Sequence, residues 1–315
     1  MTALIGHQAI ETALDWRTLI SELRAWYRAG NVEAPERQVL SMAQPDGSEA
    51  SLLIMPAWVP GEGIGVKVVT FFPGNADKGR ATINAGFLLF DGDTGQMTAA
   101  LDGDALTARR TAAASALAAS YLARRDAKRL LVIGTGQLAA ATAEAHASVR
   151  AYDEITVWGR TADKAEALVR RLCDKGLPAR SSVDIEAACR AADVVTTVTA
   201  STRPVVQGAW LKPGCHLDLI GAFKSDMRES DDRAVMQAQL FVDRREGASL
   251  AGDLSQPLAE GKIASSDLLA DLQELCQGAH PGRRDDAAFT VFKSVGMALQ
   301  DLAAAKLAAS QTISG

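Results

Sequence analysis

Residues 130–139 read LLVIGTGQLA, a short apolar run that breaks into Gly-x-Gly-x-x-Ala. A buried strand, a tight glycine turn and a helix start follow one another with no spare residues. That is the arrangement that cradles the pyrophosphate of a dinucleotide. Gly134 makes the turn, Gly136 lets the backbone approach the phosphates, and the small Ala139 keeps the helix close to the sheet. Gln137 and Leu138 then offer backbone N–H groups, and the helix start a partial positive charge, to the anion. The alanine-rich stretch 138–147 supplies the helix that the motif requires.

The chain has 315 residues, enough for two domains and a large core. Its net charge of −5 argues against nucleic acid as a partner. The first residues show no basic segment followed by an apolar run, and no apolar stretch is long enough to cross a bilayer. The expectation is a cytoplasmic protein with no membrane partner. Cys173, Cys189, Cys215 and Cys276 are scattered and read as free thiols of a reducing compartment. His7, His146, His216 and His280 have no metal-ligand spacing, so no metal is expected. His216 reads as a strand residue without a chemical role.

Three blocks follow one another. The first, to about Asp104, combines a helix over 13–29 with strands over 51–55, 63–70, 86–91 and 96–101, separated by Pro, Gly, Asn and Asp turns. This predicts a meander-like mixed sheet. An alanine-rich helix over 107–123 leads into the second block, where strands and helices alternate from residue 130 to about 242. That alternation implies a parallel sheet with helices on both faces. A last helix over 295–309, with Ser294 as its N-cap, is too short for a domain of its own and is expected to return to the first block. The fold class is therefore α/β: a doubly wound Rossmann sheet plus a discontinuous α/β domain. The expected division is 1–112 with 292–315, and 113–291.

The second strand of a dinucleotide unit ordinarily ends in an acid that binds the adenosine ribose of NAD. Here its end reads Trp158-Gly159-Arg160-Thr161. The missing carboxylate removes repulsion toward a 2′-phosphate, and Arg160 offers it a planar fork of donors. NADP(H) is thus the preferred cofactor, with NAD(H) possible.

Short motifs spread over nearly the whole chain resemble the ornithine cyclodeaminase/μ-crystallin family. They include Pro35-Glu36-Arg37, Met55-Pro56-Ala57, Gly65-Val66-Lys67, Pro73-Gly74-Asn75 and Leu101-Asp102-Gly103. Further along come Arg110-Thr111-Ala112-Ala113, Gly134-Thr135-Gly136-Gln137, Gly159-Arg160-Thr161, Gly221-Ala222, Arg228-Glu229 and Phe292-Lys293-Ser294-Val295-Gly296. The resemblance implies a Rossmann domain beside a substrate domain built from the N-terminal part and the last helix, and a homodimer formed through that substrate domain. It also places Arg37, Lys67 and Arg110 at carboxylate-binding positions. Thr82 corresponds to a threonine facing the cofactor, with Ala81 where a proline is usual. Arg110, Thr111, Thr199, Gly221, Lys293 and Ser294 join the cofactor-binding set.

One departure bears on the reaction. Cyclodeaminases of this family carry a catalytic aspartate directly after the Gly-Gly or Gly-Ala near the nicotinamide. Here that position is Phe223, which takes no proton. Gly-Ala-Phe followed by Asp226-Met-Arg-Glu is similar to bacterial reductases of Δ1-pyrroline-2-carboxylate and Δ1-piperideine-2-carboxylate. A cyclic imino acid must have its carboxylate gripped and its imine nitrogen protonated. Lys67, on a strand among apolar residues and near two arginines, should have a lowered pKa and could give that proton, ahead of Asp226. The resemblance therefore implies a reductase forming L-proline and L-pipecolate. An alanine dehydrogenase, an ornithine cyclodeaminase and a dinucleotide-loaded binding protein stand as alternatives.

Overall fold

The computed structural model describes residues 2–313. These divide into two compact units, one made of the residues up to Arg110 with those from Met297 onward, the other Thr111–Gly296. The chain begins with β1 (Ala3–Ile5), α1 (His7–Ala13), α2 (Trp16–Ala29), β2 (Gln38–Ala43), β3 (Glu49–Val59), β4 (Gly63–Phe71), β5 (Ile83–Phe90), β6 (Met97–Asp102) and α3 (Gly103–Leu122). Next come β7 (Arg129–Ile133), α4 (Gln137–Val149), β8 (Glu154–Trp158), α5 (Ala162–Asp174), β9 (Ala179–Ser181), α6 (Ile185–Ala191), β10 (Val194–Thr197) and β11 (His216–Leu219). The chain closes with α7 (Asp232–Met236), β12 (Gln239–Val242), α8 (Arg245–Ala248), α9 (Gly252–Ala259), β13 (Leu268–Asp271), α10 (Leu272–Gln277), β14 (Thr290–Lys293) and α11 (Ala298–Ile313).

In the first unit, β2 to β6 form an antiparallel meander and β1 pairs parallel to β6, giving the mixed sheet that the turn spacing predicts. The sequence gives no sign of β2, because its residues are nearly all exposed and carry no alternation. The helix expected over 13–29 is α2, which starts three residues later at Trp16, and the short α1 before it was not expected. The Asp15 carboxylate accepts the Thr18 N–H at 3.0 Å and starts α2. Before it, the Arg109 guanidinium donates to the carbonyls of Glu11 and Leu14 and so closes α1.

The strand alternation then decides what faces α11. On β4, Gly63, Gly65 and Lys67 are the buried positions, and the residues between them are half-exposed. The small residues let the helix lie close. A Cβ at Gly65 would come 2.4 Å from Phe87 Cζ and 2.9 Å from Leu302 Cδ1. The opposite face of the same sheet carries Ile54, Ile64, Val66, Val68 and Leu88, all only half-buried.

The second unit is an eight-stranded, all-parallel sheet in the order β13-β12-β14-β11-β10-β7-β8-β9. Strand order reverses between β7 and β10, and in doubly wound sheets a ligand binds beyond the strand ends at that point. Core strands such as Leu130–Ile133 and Val194–Thr197 are buried on both faces, as a sheet covered by helices requires.

Two boundaries differ from the expectation. β14 pairs between β11 and β12, so Phe292 and Lys293 belong to the second unit, and the division falls at 110/111 and 296/297. Ser294 does not cap the last helix. Its hydroxyl donates to Asp243 Oδ2 at 2.8 Å, and α11 starts at Ala298. Among the described residues, no helix is long and apolar enough to cross a membrane.

The tight packing at Gly65 predicts that Gly65→Ala lowers stability by about 1–3 kcal/mol through overpacking against Phe87 and Leu302. Urea denaturation measures this, and an unchanged midpoint would contradict the packing described.

Candidate active site

In the second unit the glycine turn after β7 is built as the motif demands. Gly134 has φ of 136°, and a Cβ there would lie 2.5 Å from Val198 Cγ2. Only glycine meets both conditions. Gly136 precedes α4 with extended backbone, and a Cβ added to it would meet nothing within 4 Å. The space over the helix start is therefore open, and the N–H groups of Gln137 and Leu138 have no acceptor within the helix. Ala139 is fully buried against the sheet. These features fit a dinucleotide pyrophosphate.

Beside the turn lies a cavity of about 450 Å³ lined by residues of three strand-end loops, among them Gly159, Arg160, Thr161 and Thr199. Its lining holds three cationic residues, Arg160, Lys164 and Arg203, and no acidic one. Lys164 and Arg203 are absent from the sequence-based set. Lys164 lies within the first turn of α5, and Arg203 comes from a different loop, so no single motif displays them together.

Glu229 ties the loops at the ends of β10 and β11. Its carboxylate accepts from the Thr199 N–H at 2.7 Å and hydroxyl at 2.8 Å, and from the N–H groups of Gly221 at 2.8 Å and Ala222 at 2.9 Å. Complete burial pushes its carboxyl up from the usual range, with neighbouring Lys293 opposing. Lys293 is itself fully buried and donates to Asp253 Oδ2 at 2.8 Å. Asp253 in turn accepts the N–H groups of Glu229 and Ser230 at 2.8 and 3.0 Å. Asp226 stands exposed on the loop that follows Phe223. Thr111 opens the unit on α3, half-buried. His216 is fully buried, with its Nδ1 3.0 Å from the Thr290 hydroxyl, and burial pushes its imidazole down to about 3. It is neutral across the physiological range. Among the described residues no cluster of His, Cys, Asp or Glu is arranged to hold a metal ion.

The first unit holds a second cluster. Lys67 on β4 is 2 % exposed and Arg110 on α3 is 4 % exposed. Both bind one carboxylate, Asp301 of α11, which is fully buried. Arg110 also donates from Nη1 to Gln300 Oε1 at 2.8 Å, and Gln300 donates to the Tyr27 hydroxyl at 2.8 Å. Burial first, then the Arg110 charge, brings the Lys67 ammonium down to about 8 from its usual 10.5, against the opposing pull of Asp301. Arg37 adds a smaller push in the same direction. The lowered pKa expected from apolar strands and two nearby arginines is thus present, whereas Asp301 and Gln300 were not foreseen. Thr82 lies in the loop between β4 and β5, where its carbonyl accepts the Phe72 N–H at 2.8 Å and Asn75 bonds the Ala81 carbonyl at 2.8 Å.

A model of the ornithine cyclodeaminase/mu-crystallin family matches residues 7–315. The chain belongs to this family. It is 37 % identical over 293 residues to a Δ1-pyrroline-2-carboxylate reductase of Paracoccus denitrificans, covering 92 % of this chain and 90 % of that one. The Δ1-pyrroline-2-carboxylate reductase of Thermococcus litoralis, solved with NADH and L-proline, superposes with a TM-score of 0.93 at 30 % identity over 99 % of this chain and 98 % of that one. An archaeal alanine dehydrogenase dimer with bound NAD gives a TM-score of 0.92 at 30 % identity, over 99 % and 96 %.

The geometry at Gly134 predicts that Gly134→Ala weakens binding of a nicotinamide dinucleotide by about tenfold or more, the equivalent of roughly 1.4 kcal/mol. Titration followed by nucleotide fluorescence, on protein with a native far-UV spectrum, measures it. Wild-type affinity would show that the turn does not face the pyrophosphate.

Proposed function

We propose that this chain is a nicotinamide-dependent reductase of cyclic imino acids. It converts Δ1-pyrroline-2-carboxylate to L-proline and Δ1-piperideine-2-carboxylate to L-pipecolate. The observation that carries this reading is the buried set of Lys67, Arg110 and Asp301, with Arg37 close enough to act on the Lys67 charge. Lys67 and Arg110 are two buried cations that share the single carboxylate of Asp301, which suits a carboxylate substrate. Arg110 and Arg37 take that carboxylate, for which a guanidinium fork is well shaped. When bound, the reduced nicotinamide supplies the hydride that goes to the imine carbon. Lys67 gives the proton to the imine nitrogen, so that the C=N double bond becomes a C–N single bond bearing one new C–H and one new N–H. With a pKa of about 8, its ammonium is an easier donor than an exposed lysine. Asp226, exposed on its loop, is the weaker candidate.

The chain prefers NADPH over NADH. Supporting it are the three cationic residues and the lack of any acid in the lining of the cavity beside Gly159. The chain also forms a homodimer. The half-buried apolar face of Ile54, Ile64, Val66, Val68 and Leu88 is suited to a second copy of the chain, and a structural neighbour is a dimer. The alanine dehydrogenase likeness keeps one other reaction in view, because the same carboxylate clamp would serve pyruvate. Oxidation of NADPH with each cyclic imine, beside pyruvate plus ammonia and beside ornithine with NAD, separates these reactions. Faster turnover of pyruvate plus ammonia than of either imine would replace the reading.

Three outcomes are expected. Lys67→Met lowers kcat on both imines by about 10² to 10⁴, the range for loss of a general acid, and retention of wild-type kcat would remove Lys67 from the chemistry. In the wild type, the protonated lysine is the active form, so kcat falls as pH rises through about 8. A profile flat through that value contradicts the assignment. Arg160→Glu raises KM for NADPH by about tenfold, as loss of a charged hydrogen bond predicts, and moves KM for NADH far less. Equal effects on both cofactors would defeat the NADPH preference.

A further inference from the structure

We propose that Asp301 is the positioning residue of this site: its one carboxylate, fixed on α11, holds the Lys67 ammonium and the Nε edge of Arg110 side by side and turns both toward the substrate they share. The inference rests on Lys67 as proton donor, as assigned above. Lys67 Nζ is 2.9 Å from Asp301 Oδ1 and 2.8 Å from Oδ2, and Arg110 Nε is 2.9 Å from Oδ1. The carboxylate therefore spans two strictly different elements, β4 and α3, from a third. Behind it the chain of bonds continues through Arg110 Nη1, Gln300 and Tyr27, each residue nearly or fully buried. With Nε and Nη1 occupied, the guanidinium cannot swing. Among the described residues its remaining amino group, Nη2, has no hydrogen-bond partner. That is the group left to take an anion.

The electrostatics require such an anchor. The charges that act on Lys67 are Asp301 from α11, Arg110 from α3 and Arg37 from the segment before β2, while Asp104 at the start of α3 feels the lysine more weakly. Without Asp301, a buried ammonium would lie beside two guanidinium groups, and it would shed its proton. The same loss would free Arg110 from the orientation that presents Nη2. Asp301 thus acts through Lys67 and Arg110, with no contact to the reacting atoms of its own.

The test is the pH profile of kcat for the imine reduction in Asp301→Asn, run beside Lys67→Met and Gln300→Glu, each with a native far-UV spectrum. Asp301→Asn keeps the shape and removes the charge. Its alkaline limb should move down by about one to three pH units, the usual effect of an opposite charge at this range. Gln300→Glu adds a carboxylate against Arg110 and should move the limb up. A merely structural role would lower stability and leave the limb in place. An unmoved limb in folded Asp301→Asn overturns the inference and leaves the donor assignment standing. Wild-type kcat in Lys67→Met overturns the donor assignment, and the inference with it. Should Asp301→Asn fail to fold, Gln300→Glu decides, and a limb that stays or moves down counts against Asp301.

Discussion

A lysine on the helix-facing side of a sheet is the constraint on which the first unit depends. An unpaired ammonium in that position is costly, and removing one partner of a buried pair is ordinarily more damaging than replacing both. The chain answers with a carboxylate on α11 that reaches Lys67 and Arg110 together. For the carboxylate to arrive, the helix must lie close to β4, and the glycines at 63 and 65 permit that approach. Packing and charge are therefore one problem here. The approach that the glycines permit brings Asp301 to Lys67, and burial, Arg110 and Asp301 then set how readily the ammonium gives up its proton.

The second unit meets a different requirement with different means. A pyrophosphate needs backbone donors and room, and the turn at Gly134 to Gly136 provides both. The strand-end loops around it have little regular structure of their own. Glu229 compensates by accepting four hydrogen bonds from Thr199, Gly221 and Ala222, and the Lys293–Asp253 pair lies directly behind it. A buried, fully satisfied network of this kind fixes loop geometry more firmly than apolar contact would. Thr199 and Gly221 thus share a place in the fold because the Glu229 carboxylate joins them, while Lys293 is held behind it by Asp253.

What the sequence displays is what local chemistry writes into it. The glycine turn, the alanine helix behind it and the alternation of strands and helices each lie within a few residues, and the parallel sheet follows from them. The burial of Lys67 is legible in the same way, since every second residue of its strand faces the core. Asp301 lies 234 residues away from its partner, and only the folded chain shows them together. Its one local sign is a lone carboxylate inside an alanine-rich helix. Ser294 looks like a helix N-cap, and β14 just before it goes unread because a four-residue central strand has too few positions to show its period. Lys164 and Arg203 join Arg160 from separate loops, so a motif at one strand end could name only the first of the three.

The central claim is that Lys67 faces the nitrogen of a substrate whose carboxylate is held by arginine. A crystal structure of the chain with NADP and L-proline tests it directly. The account predicts the proline carboxylate on Arg110 Nη2 and Arg37, with the ring nitrogen within hydrogen-bond reach of Lys67 Nζ, directly or through one water. A ring nitrogen turned to Asp226, or a carboxylate bound away from Arg110, would contradict it.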